Sequence, residues 1–222
     1  MAARHGPDPG ADAPAPAGDE GRAVTVRTAR RSRYALVAAA AIIAIVVTVV
    51  AFARPGSSPG PAFPPLHPAA APAGWPHLAL PNGTAVLSYP PSLHQLAGDT
   101  DAVSAARLSL GGAFQLYLNA TPRQGSERLQ GWAAFRLRLL RSDDAASARQ
   151  DAAAEGVKFR GGTGSCLIDD YVTRIGGHHY QEIACLVQGH TSASVIVAAA
   201  PAARWARARP LLLRAVAAYL VR

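Results

Sequence analysis

The chain has 222 residues, of which 50% are hydrophobic and 16% are charged, and its formal net charge is +8. Lys158 is the only lysine, so the positive charge comes from arginines spread along a sequence rich in alanine, glycine and proline, as in a GC-rich bacterial genome. A dispersed excess of this kind indicates no nucleic-acid partner, because nucleic-acid binding needs basic residues gathered on one face.

Residues 1–33 contain mostly proline, glycine, alanine and charged residues, with hardly any large apolar side chain. Such a segment cannot bury enough apolar surface to offset the loss of chain entropy on folding. We therefore predict a short disordered tail that precedes the first apolar stretch.

Residues 34–53 (YALVAAAAIIAIVVTVVAFA) form an uncharged apolar stretch, which predicts a transmembrane helix. At about 1.5 Å per residue, this helix reaches across a hydrocarbon core of about 30 Å. The basic residues that closely precede it are Arg27, Arg30, Arg31 and Arg33. Because positive flanks stay in the cytoplasm, we predict a single-pass cell-membrane protein with a cytoplasmic N-terminus and an extracytoplasmic C-terminal part.

A cleaved signal peptide is the alternative interpretation of the same stretch. Ala51, Phe52 and Ala53 spell a small-x-small cleavage site. The apolar region of a signal peptide is only about 7–15 residues long, however, and lies nearer to the N-terminus than this one. We therefore favour an uncleaved anchor, and either interpretation exports the C-terminal part.

Residues 54–74 (RPGSSPGPAFPPLHPAAAPAG) are proline-rich and predict an extended linker. Extended proline-rich chain spans about 3.1 Å per residue, so the linker would hold the next segment away from the membrane. Residues 75–222 then have the length of one ordinary domain. We predict an α+β domain with a mainly antiparallel sheet packed by two or three helices.

The first half of this domain begins with strands. An apolar, β-prone run predicts a strand over residues 84–89, and Pro90 and Pro91 end it. Residues 102–110 and 113–118 flank a Gly-Gly turn and predict a β-hairpin.

A core helix is predicted to follow. Ser126 is expected to cap it, with Glu127 in its first turn. Its apolar stripe comprises Leu129, Trp132, Ala133, Leu137 and Leu140.

The second half is predicted to begin with an alanine-rich surface helix. Its start is signalled by Ser142, Asp143 and Asp144, and its end by Gly156. Strands are expected over residues 157–161, 165–174, 178–188 and 191–199. A final helix begins at Pro201, with an apolar stripe comprising Leu212, Leu213, Val216, Tyr219 and Leu220, and Pro210 is expected to break or kink it.

Cys166 and Cys185 are the only two cysteines. An even count in an exported domain predicts one disulfide. A four-residue hairpin loop over 174–177 would place the two cysteines directly opposite each other, close enough to bond. The same register would set Asp169 against Glu182, whereas a two-residue Gly-Gly loop would leave the cysteines diagonal. The sequence leaves both registers open.

No strong catalytic, cofactor or metal motif is present. Residues 161–165 (GGTGS) lack the lysine of a phosphate-binding loop and predict a turn. Ser165 lies outside any Gly-x-Ser-x-Gly elbow. His178 and His179 are adjacent on a strand and point to opposite faces, so only one of them would join His190 in a metal site.

The densest basic stretch lies near the C-terminus. It comprises Arg204, Arg207, Arg209, Arg214 and Arg222, together with Trp205. We interpret it as a solvated helix face, with contact to an anionic wall polymer or to lipid headgroups as the alternative.

Residues 80–222 resemble the Mog1/PsbP-like fold of membrane-anchored bacterial extracytoplasmic proteins. The similar segments are residues 86–90 (VLSYP), 116–122 (LYLNATP) and the hairpin 174–178 (RIGGH) leading into Tyr180. The cysteine pair and the alanine-rich segment are not part of that pattern. The resemblance implies a largely non-enzymatic binding or assembly module and supplies no site residues.

Three functional hypotheses follow from the sequence. The first is a membrane-tethered binding or assembly module of the cell envelope, with an envelope protein or an anionic wall polymer as its partner. The second is an envelope hydrolase that uses Asp169, Asp170, Glu182 or His179. The third is the sensor domain of a transmembrane regulator, against which the short N-terminal tail counts. Ligand, partner and oligomeric state are left open.

Overall fold

The computed structural model describes residues 62–97 and 101–222. The predicted cytoplasmic tail, the transmembrane stretch with its arginine flank and the first part of the predicted linker lie outside these residues. No helix in the described ranges combines the length and the apolar character needed to cross a membrane.

The fold is α+β, with ten strands and two α-helices in the described part of the chain. The strands are β1 His77–Ala79, β2 Ala85–Ser88, β3 His94–Leu96, β4 Val103–Leu108, β5 Phe114–Pro122, β6 Ala145–Phe159, β7 Gly162–Thr173, β8 His179–Gln188, β9 Ala193–Pro201 and β10 Leu220–Val221. The helices are α1 Trp132–Asp143 and α2 Trp205–Ala218, the latter preceded by a 3-10 turn at Ala202–Arg204.

Seven strands form one antiparallel sheet in the order β3-β4-β5-β9-β8-β7-β6. A small antiparallel sheet has the order β1-β2-β10. The predicted mainly antiparallel sheet is therefore confirmed, as are the β4–β5 and β7–β8 hairpins. The short strands β1, β3 and β10 were not predicted, because two or three residues are too few to show an alternating pattern.

The two faces of the large sheet carry separate hydrophobic clusters. Side chains alternate along a strand, so neighbouring residues enter different clusters. Cys166, Ile168 and Ile183 pack with α2 and the small sheet, whereas Leu167 and Ala184 pack with α1. The large sheet is thus the middle layer between α2 and α1.

The alanine-rich segment was wrongly predicted as a helix. Residues 145–159 form β6, a 15-residue edge strand that pairs with β7 along its length, with three register shifts. Helix propensity is a weak preference that tertiary pairing overrides. The aspartates expected to open that helix instead lie at the end of α1, where the backbone N–H of Asp144 donates to the carbonyl of Leu140.

The start of the core helix was also wrongly predicted. Helix α1 begins at Trp132, after Gly131 in the left-handed conformation (φ 76°), and Ser126 does not cap it. The predicted apolar stripe is confirmed, with Trp132, Leu137 and Leu140 buried and Leu129 and Ala133 packed beside them. Glu127 therefore lies in the loop before the helix.

Pro210 does not break the last helix, since α2 continues through it from Trp205 to Ala218. Its predicted stripe is buried at Leu212, Val216 and Tyr219. Part of the segment assigned to the linker also packs on the domain: Phe63 and Leu66 touch the α2-side cluster, and the N–H of Ala69 donates to Ala217.

The β7–β8 hairpin has the register of a four-residue loop. Cys166 faces Cys185 and Asp169 faces Glu182 across the ladder. The two cysteines form a disulfide with a Cα–Cα distance of 4.1 Å, and both are fully buried. The predicted bond is therefore confirmed, and the first of the two open registers is the correct one.

Candidate functional site

A cavity of about 640 Å³ lies between α1 and the face of the large sheet that α1 covers. Strand β5 lines it with Tyr117, Asn119 and Thr121, because every second side chain of a strand points to the same face. Strand β9 adds Val195 and Val197. The volume lies within the range of about 300–1,000 Å³ that small-molecule sites occupy.

Aromatic rings form much of the wall. Phe114 and Tyr117 pair with their ring centroids 4.8 Å apart. Tyr171 and Tyr180, direct partners on β7 and β8, pair at 5.8 Å. Trp132 lies where α1 meets the sheet, and its indole N–H donates to the carbonyl of Ala184 at 3.1 Å. The wall therefore offers flat apolar surfaces to a ligand.

An ion pair between the partly buried Arg136 and the buried Glu182 joins α1 to the floor of the cavity. Arg136 donates from Nε and Nη2 to Oε1 of Glu182, at 2.9 and 2.8 Å. Burial acts to lower the pKa of Arg136, but the charge and hydrogen bond of Glu182 outweigh it and raise that pKa. The charge of Glu182 is thereby matched within the protein.

Asp169 lies beside this pair and is fully buried. Neither of its carboxyl oxygens has a hydrogen-bond partner among the described residues. Burial, and then the charge of Glu182, raise the pKa of Asp169 to about 9, while Arg136 opposes the shift. Asp169 is therefore neutral at pH 7, which removes the repulsion expected between the two facing carboxylates. Burial likewise raises the pKa of Tyr171.

Arg174 and Ile175, from the β7–β8 loop, contribute to the lining on one side. Nη2 of Arg174 donates to the carbonyl of Arg141 at 2.8 Å and lies 3.3 Å from that of Ala145. These carbonyls flank the end of α1, where backbone acceptors lack intrahelical donors. The guanidinium is therefore directed at the helix end.

Glu127 also lines the cavity, from the loop between β5 and α1. Its residue is only 7% exposed, and Oε2 has no hydrogen-bond partner among the described residues. An unpaired buried acceptor costs free energy, so a native structure that keeps one requires an explanation.

The residues proposed for a hydrolase do not meet in this cavity. Glu182 lines it, but Asp169 does not. Asp170 and His179 form a pair at 2.8 Å on the other face of β7 and β8, with His179 half exposed. The four groups are thus divided between two faces, and the two on the cavity side are fully buried.

The other motifs lie outside the cavity. His178 and His190 are exposed, and the described residues contain no group of three or more metal-ligating side chains. The turn predicted over residues 161–165 is confirmed only at Gly161 (φ 82°), because residues 162–165 already belong to β7. The C-terminal arginines 204, 207, 209 and 214 lie on the exposed side of the last helix and its preceding turn, whereas Trp205 is buried.

Sequence reasoning missed Glu127, Arg136 and the tyrosine pair. The alternation of Tyr117, Asn119 and Thr121 with apolar residues in β5 was the signal available, because it indicates a strand face that is not filled by aliphatic core. The ion pair had no such signal, since its partners are 46 residues apart in the sequence.

No protein-family model matches the sequence, and no curated protein matches it significantly. Among solved structures, the chain is similar to cyanobacterial PsbP from Synechocystis at 12% identity and a TM-score of 0.48, over 69% of this chain and 98% of that one. It is also similar to LpqN of Mycobacterium tuberculosis, described as involved in cell envelope biogenesis, at 11% identity and a TM-score of 0.41, over 66% and 90% of the two chains.

At 11–12% identity, the similarity to these two structures concerns the fold alone.

Proposed function

We propose that residues 62–222 form a small-molecule-binding domain, displayed on the outer side of the cell membrane and tethered there by residues 34–53. The observation that carries the binding function is the cavity of about 640 Å³ between α1 and the sheet. Its aromatic walls surround a few buried polar groups, which is the usual composition of a ligand site. A fold whose only task is structural would fill this space with side chains.

Binding is favoured over catalysis by the state of the polar groups. The charge of Glu182 is matched by Arg136, and the neighbouring Asp169 is closed off from the cavity. In the described ranges, no histidine, cysteine or serine lines the cavity. Nucleophilic chemistry by a histidine-activated serine or cysteine needs such a group within hydrogen-bond reach of its partner.

The outward placement is supported by the buried disulfide and by the arginine flank before residue 34. Disulfides persist in oxidising compartments, and basic residues stay in the cytoplasm. Both arguments support the same, extracytoplasmic side of the membrane.

A cavity-filling variant tests the binding function. A fragment library is screened by ligand-observed NMR against the full-length chain in phosphatidylglycerol nanodiscs. Thr121→Trp would place a large side chain in the cavity, and Thr191→Trp, at an exposed position after β8, is the matched control. We expect fragments that compete for one site, bind the control and lose binding to Thr121→Trp. A library with no binders, or binding that Thr121→Trp leaves intact, would contradict the proposal.

Protease treatment of intact spheroplasts tests the placement. With an epitope tag at each end, we expect external protease to remove the C-terminal tag and to spare the N-terminal one. A protected C-terminal tag would contradict the topology. A released domain beginning near Arg54 would support export but overturn the anchor.

A further inference from the structure

The cavity is the acidic part of a basic protein. The chain carries a net charge of +8, yet the acidic and basic side chains that line the cavity are four carboxylates and two guanidiniums. The carboxylates belong to Glu127, Asp143, Asp144 and Glu182. Because a cleft with low-dielectric walls focuses the field of its charges, this site attracts cations and repels anions.

Both guanidiniums are already engaged by the protein. Arg136 gives two hydrogen bonds to Glu182, and Arg174 donates to the carbonyl groups around the end of α1. An anionic ligand would have to compete with these internal partners. The basic groups therefore hold the site together and are not set up to receive a carboxylate or phosphate.

Glu127 is the group without such a partner. Its Oε2 has no hydrogen-bond partner among the described residues, although the side chain belongs to a residue that is more than nine-tenths buried and lines the cavity. A buried carboxylate is expensive unless it is paired with a donor or a cation. A ligand with a positively charged donor supplies what this carboxylate lacks.

The aromatic pairs suit the remainder of such a ligand. The rings of Phe114, Tyr117, Tyr171 and Tyr180 present apolar surface, and an ammonium group near a ring face gains a further cation–π attraction. Apolar wall and acidic group together favour an amphipathic molecule with one cationic end.

We propose that the cavity binds organic ammonium compounds, with Glu127 receiving the ammonium group and the aromatic pairs receiving the apolar body. This inference depends on the proposed binding function and names the ligand class for the same cavity. Asp143 and Asp144 add negative charge to the site and favour the approach of the cation.

Three probes of nearly equal shape compare a cationic, a neutral and an anionic ligand: 2-phenylethylammonium, 2-phenylethanol and phenylacetate. Their dissociation constants are measured at pH 7 by NMR titration of the full-length chain in phosphatidylglycerol nanodiscs. We expect the ammonium probe to bind about tenfold more tightly than the alcohol, the ratio that one charge-assisted hydrogen bond supplies. Phenylacetate should bind more weakly than the alcohol.

The variant Glu127→Gln keeps the shape of the side chain and removes its charge. We expect it to weaken the ammonium probe about tenfold and to leave the alcohol nearly unchanged. Glu155→Gln, an identical change at an exposed position on β6, is the control and should alter neither probe. Thermal denaturation of both variants checks that they remain folded.

The outcomes separate this inference from the binding function. Three outcomes would overturn the ammonium class while the cavity remains a ligand site. These are that phenylacetate binds most tightly of the three probes, that all three bind equally, or that Glu127→Gln leaves the affinity for the ammonium probe unchanged. The ammonium class would also be overturned if none of the three probes bound, while fragments of other chemistry bound the wild type and did not bind Thr121→Trp. Only a cavity that binds no fragment at all would remove the proposed function as well.

Discussion

Asp169 and Glu182 face each other across β7 and β8, both fully buried, and Arg136 donates hydrogen bonds to Glu182 alone. Two carboxyl groups thus lie beside one cation, which is hydrogen-bonded to only one of them. The protein resolves the conflict by keeping Asp169 protonated, as its pKa of about 9 implies. This arrangement fixes α1 against the sheet at the floor of the cavity.

The stability of the protein should depend on pH through Asp169. The folded protein keeps the Asp169 proton up to about pH 9, whereas the unfolded chain loses it near its ordinary value of 3.8. Between these values the folded state binds more protons, so the contribution of Asp169 to the free energy of unfolding falls as pH rises. We expect Asp169→Asn to flatten this decline and to stabilise the protein at pH 8 by roughly 1–3 kcal/mol. Urea denaturation at pH 5 and pH 8 measures the free energy of unfolding of both proteins. An equal fall of this free energy between the two pH values in the variant and the wild type would contradict the protonated state of Asp169.

Removing Arg136 should be far more damaging than removing a neighbouring arginine. Arg136→Met leaves the Glu182 charge buried without its partner, which costs about 3–5 kcal/mol. Arg138→Met, at an exposed position of the same helix, should change the free energy of unfolding by less than about 0.5 kcal/mol. Denaturant titration of the two variants compares them. A loss of similar size in both would show that the ion pair contributes nothing specific.

The disulfide should stabilise the domain appreciably. Cys166 and Cys185 are 19 residues apart, and closing a loop of that length stabilises by about 3 kcal/mol in the entropic model. The double variant Cys166→Ala, Cys185→Ala should lose about that amount. Adding a reductant should destabilise the wild type and leave the double variant unchanged. Insensitivity of both proteins to the reductant would argue against a structural bond.

Gly161 should tolerate no side chain. A Cβ there would lie 1.9 Å from the carbonyl oxygen of Val221, and the residue has φ 82°. Gly156 also has a positive φ, of 68°, but has open space around it. Gly156→Ala should cost only the left-handed conformation, about 1–2 kcal/mol, and Gly161→Ala about 1–3 kcal/mol more because of the clash. Equal melting temperatures for the two variants would contradict the close approach of the C-terminal strand.

Much of the fold could be predicted from local pattern. Alternating and continuous apolar runs located β2, β4, β5 and β7–β9, and the helical stripe located the core of α1. The alanine-rich β6 could not be recognised, because small side chains show little pattern and its strand conformation depends on pairing with β7.

The site was less predictable, because its parts come together only in the folded chain. Glu127 follows Ser126, which lies three residues before the first apolar residue of the α1 stripe. This pattern is typical of a helix N-terminus, so it gave no sign of a binding site. The left-handed Gly131 delays the helix to Trp132 and leaves Glu127 in the loop beside the cavity. Arg136 meets Glu182 only once α1 docks on the sheet.

The most direct test of the binding site is the indole signal of Trp132 during titration with 2-phenylethylammonium. The chain has three tryptophans, and Trp132 alone lines the cavity, whereas Trp75 and Trp205 pack in the cluster on the other face of the sheet. In ¹⁵N–¹H spectra of the full-length chain, we predict a saturable shift of the Trp132 indole and stationary Trp75 and Trp205 signals. A stationary Trp132 signal, or equal shifts of all three, would contradict ligand binding in this cavity.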